Sequence, residues 1–262
     1  MLGTGVEFYL VLLLFAVPGI IIGFTVHEYC HARVAVSYGD PTPRAQGRLS
    51  LNPADQIDPF GLAALVLVGI GFARPVQYNP YHVRRGRQRA WLSAAGPLSN
   101  LVMAALLAFA LKLLILADPQ VQTCLLPSFD LPLAGYLYWV LVEAFFVNMI
   151  LFVFNLIPIP PLDGYGVAEG LFRSRAPALF QWIDRNRMGI LIVALLIFFV
   201  LPNFFQTGIS VGTPITGAAD WLWGIVVTGR PPLELFPNLS YLIAPSNAGL
   251  ASALSNPCLS LY

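Results

Sequence analysis

Apolar runs alternate with short polar stretches along this chain, and the runs are long. Residues 8–23 read "FYLVLLLFAVPGIIIG", and the apolar character continues to about residue 37. A run of 18 or more apolar residues predicts a helix long enough to cross a bilayer. By that measure the chain has four spanning candidates, at about 6–37, 91–117, 135–159 and 188–206. A fifth run, "FGLAALVLVGIGFA" at 60–73, is too short for a full span. It predicts either a re-entrant segment or a short helix set inside the protein. The polar stretch before it, 39–59, holds Pro and Gly, and "RAQGRLSL" at 44–51 suggests a short extended piece. Residues 207–262 are rich in Gly, Pro, Ser and Asn, with one weak apolar patch, "WLWGIVV". That patch, within 216–229, is either a sixth spanning helix or an interfacial one.

Composition agrees with the pattern. The 262 residues are 57% hydrophobic and 10% charged, against about 25% charged in a soluble domain. The mean hydropathy is +0.73. The expected fold is an all-α polytopic membrane protein of five to six transmembrane helices, with a short re-entrant or extended element after the first. Residues 1–206 form the membrane core and 207–262 the tail. Residues 6–32 lack the basic start and small-residue cleavage site of a removable signal, so a retained first helix is expected. The net charge of +1 says nothing about a nucleic-acid partner, and no basic run with interleaved aromatics suggests one, so none is expected.

Charge sets the orientation. All Lys and Arg residues except Lys112 and Arg230 lie at 33–89 or 173–187. By the positive-inside rule those loops are cytoplasmic, and 118–134 lies outside. The Arg84–Arg89 cluster serves as this topology signal and as a contact for anionic lipid.

Against that background "FTVHEYCHAR", 24–33, stands out. Ionisable groups within a membrane span are rare and usually functional. His27 and His31 are spaced i, i+4, so they share one helix face and can chelate one metal ion. Glu28 follows the first histidine, where it reaches a metal-bound water rather than the metal. His27 lies about 9 Å from Arg33 along the helix, at ~1.5 Å per residue, which puts the triplet toward the cytoplasmic side. A catalytic zinc site needs a third protein ligand. Asp163, in "NLIPIPPLDG" at 155–164, stands at the same inferred depth. Alone, Asp163 reads as an N-cap for a helix over 164–172. Beside the histidine pair it reads as the third ligand.

The motifs "HEYCH" and "NLIPIPPLDG", with "GRLSLNPADQIDPFG", "FARPVQYNP" and "AAGPLSNL" between them, resemble the site-2 protease family of intramembrane zinc metalloproteases. The likeness covers about residues 20–170. It is to the compact prokaryotic branch without a PDZ or regulatory domain. The resemblance implies one Zn2+ per chain on His27, His31 and Asp163, with Glu28 as general base. It implies that Asn155 steadies the substrate backbone or the oxyanion. By the same analogy Asn100 contacts substrate; on its own it reads as a helix–helix hydrogen bond. The implied activity is cleavage of peptide bonds in or near transmembrane segments of membrane-anchored proteins, in regulated intramembrane proteolysis. The implied location is a prokaryotic inner membrane, with the site toward the cytoplasm and partner proteins gating access. Two other classes compete. One is a catalytically silent membrane scaffold or assembly subunit, which has no need of Glu28. The other is a transporter, whose polar groups would be spread along a path.

Four further expectations follow from single residues. His82 is a surface residue. Cys30 is core packing. Lys112 and Glu143 either neutralise each other in the outer leaflet or stay apart, and Cys124 and Cys258 are a candidate disulfide.

Overall fold

A computed structural model of the chain describes residues 3–68, 71, 73–123 and 131–197. The tail, with its candidate sixth helix, and the cysteines at 124 and 258 lie outside the described residues. The described residues form helices and no strand. In chain order these are α1 (Gly3–Ser37), α2 (Thr42–Ala45), α3 (Pro53–Gln56), α4 (Pro59–Val68), α5 (Gly86–Ala117), α6 (Leu133–Asn155), α7 (Asp163–Phe172), α8 (Pro177–Arg185) and α9 (Arg187–Leu195). A 3-10 turn at Pro119–Thr123 follows α5.

Three of these helices are long and apolar enough to cross a membrane: Leu13–Ser37, Gly86–Ala117 and Leu133–Asn155. The first has 25 residues, or about 37 Å of helix, against a hydrocarbon core of about 30 Å. The short run after α1 is α4, with ten residues; at about 15 Å it is half a span. The start of the stretch expected to be extended is a helical turn instead. Pro41 and Pro43 account for this, since proline suits the first positions of a helix. Residues 48–52 then run without regular structure, and α3 starts where Asn52 accepts a hydrogen bond from the Ala54 amide. The one bridge between extended residues in this region joins Ile57 to Ala73.

The chain divides into two compact units. Residues up to Ile20 and Met103–Asn148 contribute to the first. There α1 and α6 approach closely, because a Cβ on Gly19 would collide with the backbone of Ala144. The rings of Phe15 and Tyr136 lie 5.8 Å apart beside that contact. Lys112 and Glu143 form no ion pair with each other, so of the two expectations for them the structure has them apart.

Ile21–Val102 and the described residues from Met149 onward form the second unit, which holds every residue of the candidate site. Here α7 packs on α5 through small residues. A Cβ on Gly166 would meet Ser93, and one on Gly170 would meet Gly86 and Ala90. On another side α7 is tied to α8. The Tyr165 hydroxyl donates to Asp184 at 2.6 Å, and Arg173 donates to the same carboxylate at 2.8 Å. Arg187 of α9 adds a third donor at 2.8 Å. These hydrogen bonds, that of Tyr165 foremost, hold the Asp184 carboxyl down at about 2. Burial, with the bond to Asp184, pushes the Tyr165 phenol up to about 12. His82 is exposed, as expected, and Cys30 is half-buried and unpaired.

Candidate active site

The site is built from one end of α1, the facing part of α5 and the first residue of α7. Helix α1 places His27 and His31 one turn apart, and their Nε2 atoms lie 3.1 Å from each other. Asp163 Oδ2 completes a triangle, 3.0 Å from His27 Nε2 and 3.2 Å from His31 Nε2. Asp163 is not an N-cap. Leu162 occupies that position without a side-chain cap, and Asp163 is the first helical residue. The chain reaches it through Pro160 and Pro161, joined by a cis bond. Gly164 follows because a Cβ there would collide with the carbonyls of Leu156 and Ile157.

Hydrogen bonds on the far side of each imidazole fix its protonation pattern. Asn100 donates through Nδ2 to the Gly23 carbonyl, which turns its Oδ1 to His27 Nδ1 at 2.6 Å. The Leu92 carbonyl stands 2.7 Å from His31 Nδ1. Both partners are acceptors, so both Nδ1 atoms carry the proton, and in the neutral rings both Nε2 lone pairs point inward. Two lone pairs and a carboxylate oxygen then converge with no proton between them, which requires a positive charge at the centre. Burial raises the Asp163 carboxyl, but the charge and hydrogen bonds of His31 and His27 prevail and hold it well below the usual carboxylate range.

Glu28 is buried beside this triangle. Its Oε2 accepts from the Val76 amide at 3.2 Å and lies 3.8 Å from an Arg48 guanidinium nitrogen. Its Oε1 takes no hydrogen bond from the described residues.

Curated relatives share much of this chain. It is 39% identical over 153 residues to "Putative zinc metalloprotease YwhC" of Bacillus subtilis, covering 58% of the chain and 66% of the relative. It is 32% identical over 200 residues to "Putative zinc metalloprotease Rip2" of Mycolicibacterium smegmatis, covering 72% and 68%. The Rip2 protein of Mycobacterium tuberculosis is 31% identical over 158 residues, covering 58% and 55%. The chain belongs to the site-2 protease family of zinc metalloproteases. It spans between 55% and 68% of the length of these relatives. No family model matches it, and no solved structure matches it.

A site-2 protease takes zinc as its cofactor, and the triangle fits that ion. Zinc bound at about 2.0–2.1 Å in a tetrahedron keeps its ligand atoms roughly 3.3 Å apart. The three donor atoms here stand 3.0–3.2 Å apart, and the group could hold a metal ion. Gly96 preserves the room for it, since a Cβ on Gly96 would fall against Nε2 of both histidines.

The other two residues picked from the sequence lie differently. Asn100 is fully buried behind His27, where it orients the ring. Asn155 ends α6, and its amide donates to the Leu151 carbonyl of its own helix at 2.9 Å. The Leu92 carbonyl and the room at Gly96 were not read from the sequence, and neither were Arg48, Gln56 and Val76. Arg48 donates to the carbonyls of Asp55 and Arg74. The Gln56 side-chain amide donates to the carbonyls of Arg48 and Ser50, and the Gln56 main-chain carbonyl accepts from the Arg74 amide at 3.0 Å. Together these bonds tie the loop at 48–57 to the one at 73–76, which brings the Val76 amide to Glu28. The only sequence signal for Arg48, Gln56 and Val76 is the likeness of "GRLSLNPADQ" and "FARPV" to the family.

Proposed function

We propose that this site-2 protease homologue is a zinc-dependent intramembrane endopeptidase that hydrolyses peptide bonds in or near transmembrane segments of membrane-anchored proteins. One observation carries the reading. Three ligand atoms of His27, His31 and Asp163 converge within 3.2 Å, beside a carboxylate whose Oε1 takes no hydrogen bond from the described residues. In this reading those three residues hold the zinc.

Zinc, when bound, lowers the pKa of a water from 15.7 toward ~7 and polarises a peptide carbonyl. Glu28 takes the water proton at Oε1, while the Val76 amide and Arg48 anchor Oε2. The water oxygen adds to the scissile carbonyl carbon and the C–N bond breaks. Glu28 returns its proton to the leaving nitrogen. Asn155 steadies the substrate backbone or donates to the oxyanion, once its amide leaves the Leu151 carbonyl. Asn100 acts on His27 and sets its tautomer. The substrate helix must unwind locally, because its peptide groups are hydrogen-bonded within the helix.

The arginine distribution supports a site open to the cytoplasm, in a multi-pass protein of a prokaryotic inner membrane. The test is cleavage of a model transmembrane substrate in proteoliposomes by wild type and by Glu28→Gln, with zinc measured in both. The proposal expects full zinc in the mutant and cleavage down by about 10²- to 10⁴-fold. Equal cleavage by the two proteins would refute it.

A further inference from the structure

Asp163 is the most exposed of the three proposed zinc-holding residues. The side chains of His27 and His31 are 7% and 10% exposed, and that of Asp163 is 22%. On the Asp163 side the structure has a cavity of about 350 Å³. Liquid water occupies roughly 30 Å³ per molecule, so the cavity far exceeds a water path and falls within the range of ligand pockets.

Its walls are mostly apolar: Tyr78, Pro160, Pro161, Leu162, and Met188 and Leu191 of α9. Its charged members already have partners. Glu169 takes a hydrogen bond from Arg173 at 2.5 Å, and Arg187 donates to Asp184 at 2.8 Å. Asp163 itself belongs to the zinc triangle. The cavity therefore offers no free charge to a visitor.

An extended peptide presenting its carbonyl beside Glu28 turns successive side chains to opposite faces. Such alternation lets one of the side chains flanking the scissile bond be directed to the Asp163 side. We infer that this cavity is a pocket for an apolar side chain of the substrate residue flanking the scissile bond, with Met188 and Leu191 as its specificity-determining wall. The inference rests on the protease reading above and adds a substrate preference to it. On α9, Met188 is exposed at the surface.

Two measurements test it. The first is cleavage of a series of model transmembrane substrates carrying Ala, Leu, Phe or Asp at the residues flanking the cleaved bond. Wild type is expected to prefer Leu and Phe. Met188→Trp and Leu191→Trp, which fill the pocket, are expected to lose about tenfold on Leu and Phe substrates and little on Ala, the scale of a misfit in a hydrophobic pocket. The second does not depend on turnover. A photo-crosslinking residue placed at 188 in the Glu28→Gln protein is expected to label the substrate at the residue flanking the bond. The same probe at Ile192, exposed on α9 but outside the cavity wall, is expected to label it much less. An unchanged preference in both tryptophan variants, or equal labelling from 188 and 192, would overturn the pocket. A zinc-loaded wild type that cleaves none of the series would instead count against the protease reading, and the crosslinks would still report on the pocket.

Discussion

Two helices deliver the three residues proposed to hold the zinc, and they hold them differently. The histidines of α1 are fixed directly from behind, each Nδ1 on its own acceptor, Asn100 Oδ1 or the Leu92 carbonyl. Asp163 is fixed through the helix it begins. Small residues press α7 onto α5, and Tyr165 and Arg173 bind it to Asp184 of α8. The histidines are nearly enclosed and Asp163 is the exposed member. A buried histidine shelf thus faces one proposed ligand whose position depends on the packing of a ten-residue helix. Damage to the shelf should therefore weaken zinc binding more than damage to the clamp on α7.

The largest effect is expected at Gly96. Gly96→Val puts a side chain where the ion fits, so zinc per purified chain should fall close to zero while the protein still inserts and stays helical. Wild-type zinc content would mean that the ion is held elsewhere. Next comes Asn100→Ala, which removes the acceptor behind His27. Loss of such an outer partner typically lowers metal affinity by ~10- to 100-fold, measurable by competition with a zinc chelator. Asp184→Asn acts on the other ligand through Tyr165 and should lower zinc affinity by only about threefold to tenfold, the scale of one or two hydrogen bonds. A larger loss for Asp184→Asn than for Asn100→Ala would reverse the comparison between shelf and clamp.

The smallest expected effect is on acid stability. The Asp184 carboxyl is held at about 2 in the folded chain, below its ordinary ~3.9. A depressed carboxylate contributes its stability above the unfolded value and loses it as pH falls through the folded one. The difference in melting temperature between wild type and Asp184→Asn should be constant above about pH 5 and shrink toward pH 2. A difference that grows on acidification would contradict this role for Asp184.

The shelf was also the more legible of the two in the amino-acid sequence. Two histidines at i, i+4 with a glutamate between them are a local pattern, and helix geometry alone puts the pair on one face. The three long helices were equally plain, because a run of apolar residues needs no partner to be recognised. Asp163 needed more, since its own surroundings fitted a helix cap equally well. Only its inferred depth beside the histidines and the family likeness favoured it as a ligand. The supports of the histidines and of Glu28 were hidden for a different reason. Val76 and Leu92 act through main-chain atoms, which carry no residue signature. Gly96 acts by lacking a side chain. Arg48 looked like one more basic loop residue, and its burial against two carbonyls is a tertiary outcome. At 44–51 the expected extended piece began as a helical turn, where the two prolines that break longer helices start a short one.

The most direct test of the central claim is zinc K-edge absorption on the Glu28→Gln protein, with zinc counted in Asp163→Ala alongside. His27, His31 and Asp163 predict one zinc per chain, a shell of nitrogen and oxygen at about 2.0–2.2 Å, and no sulfur at ~2.3 Å. They also predict that Asp163→Ala loses most of the metal under chelator competition. A sulfur shell, which would bring in Cys30, or full zinc retention in Asp163→Ala would contradict the site described.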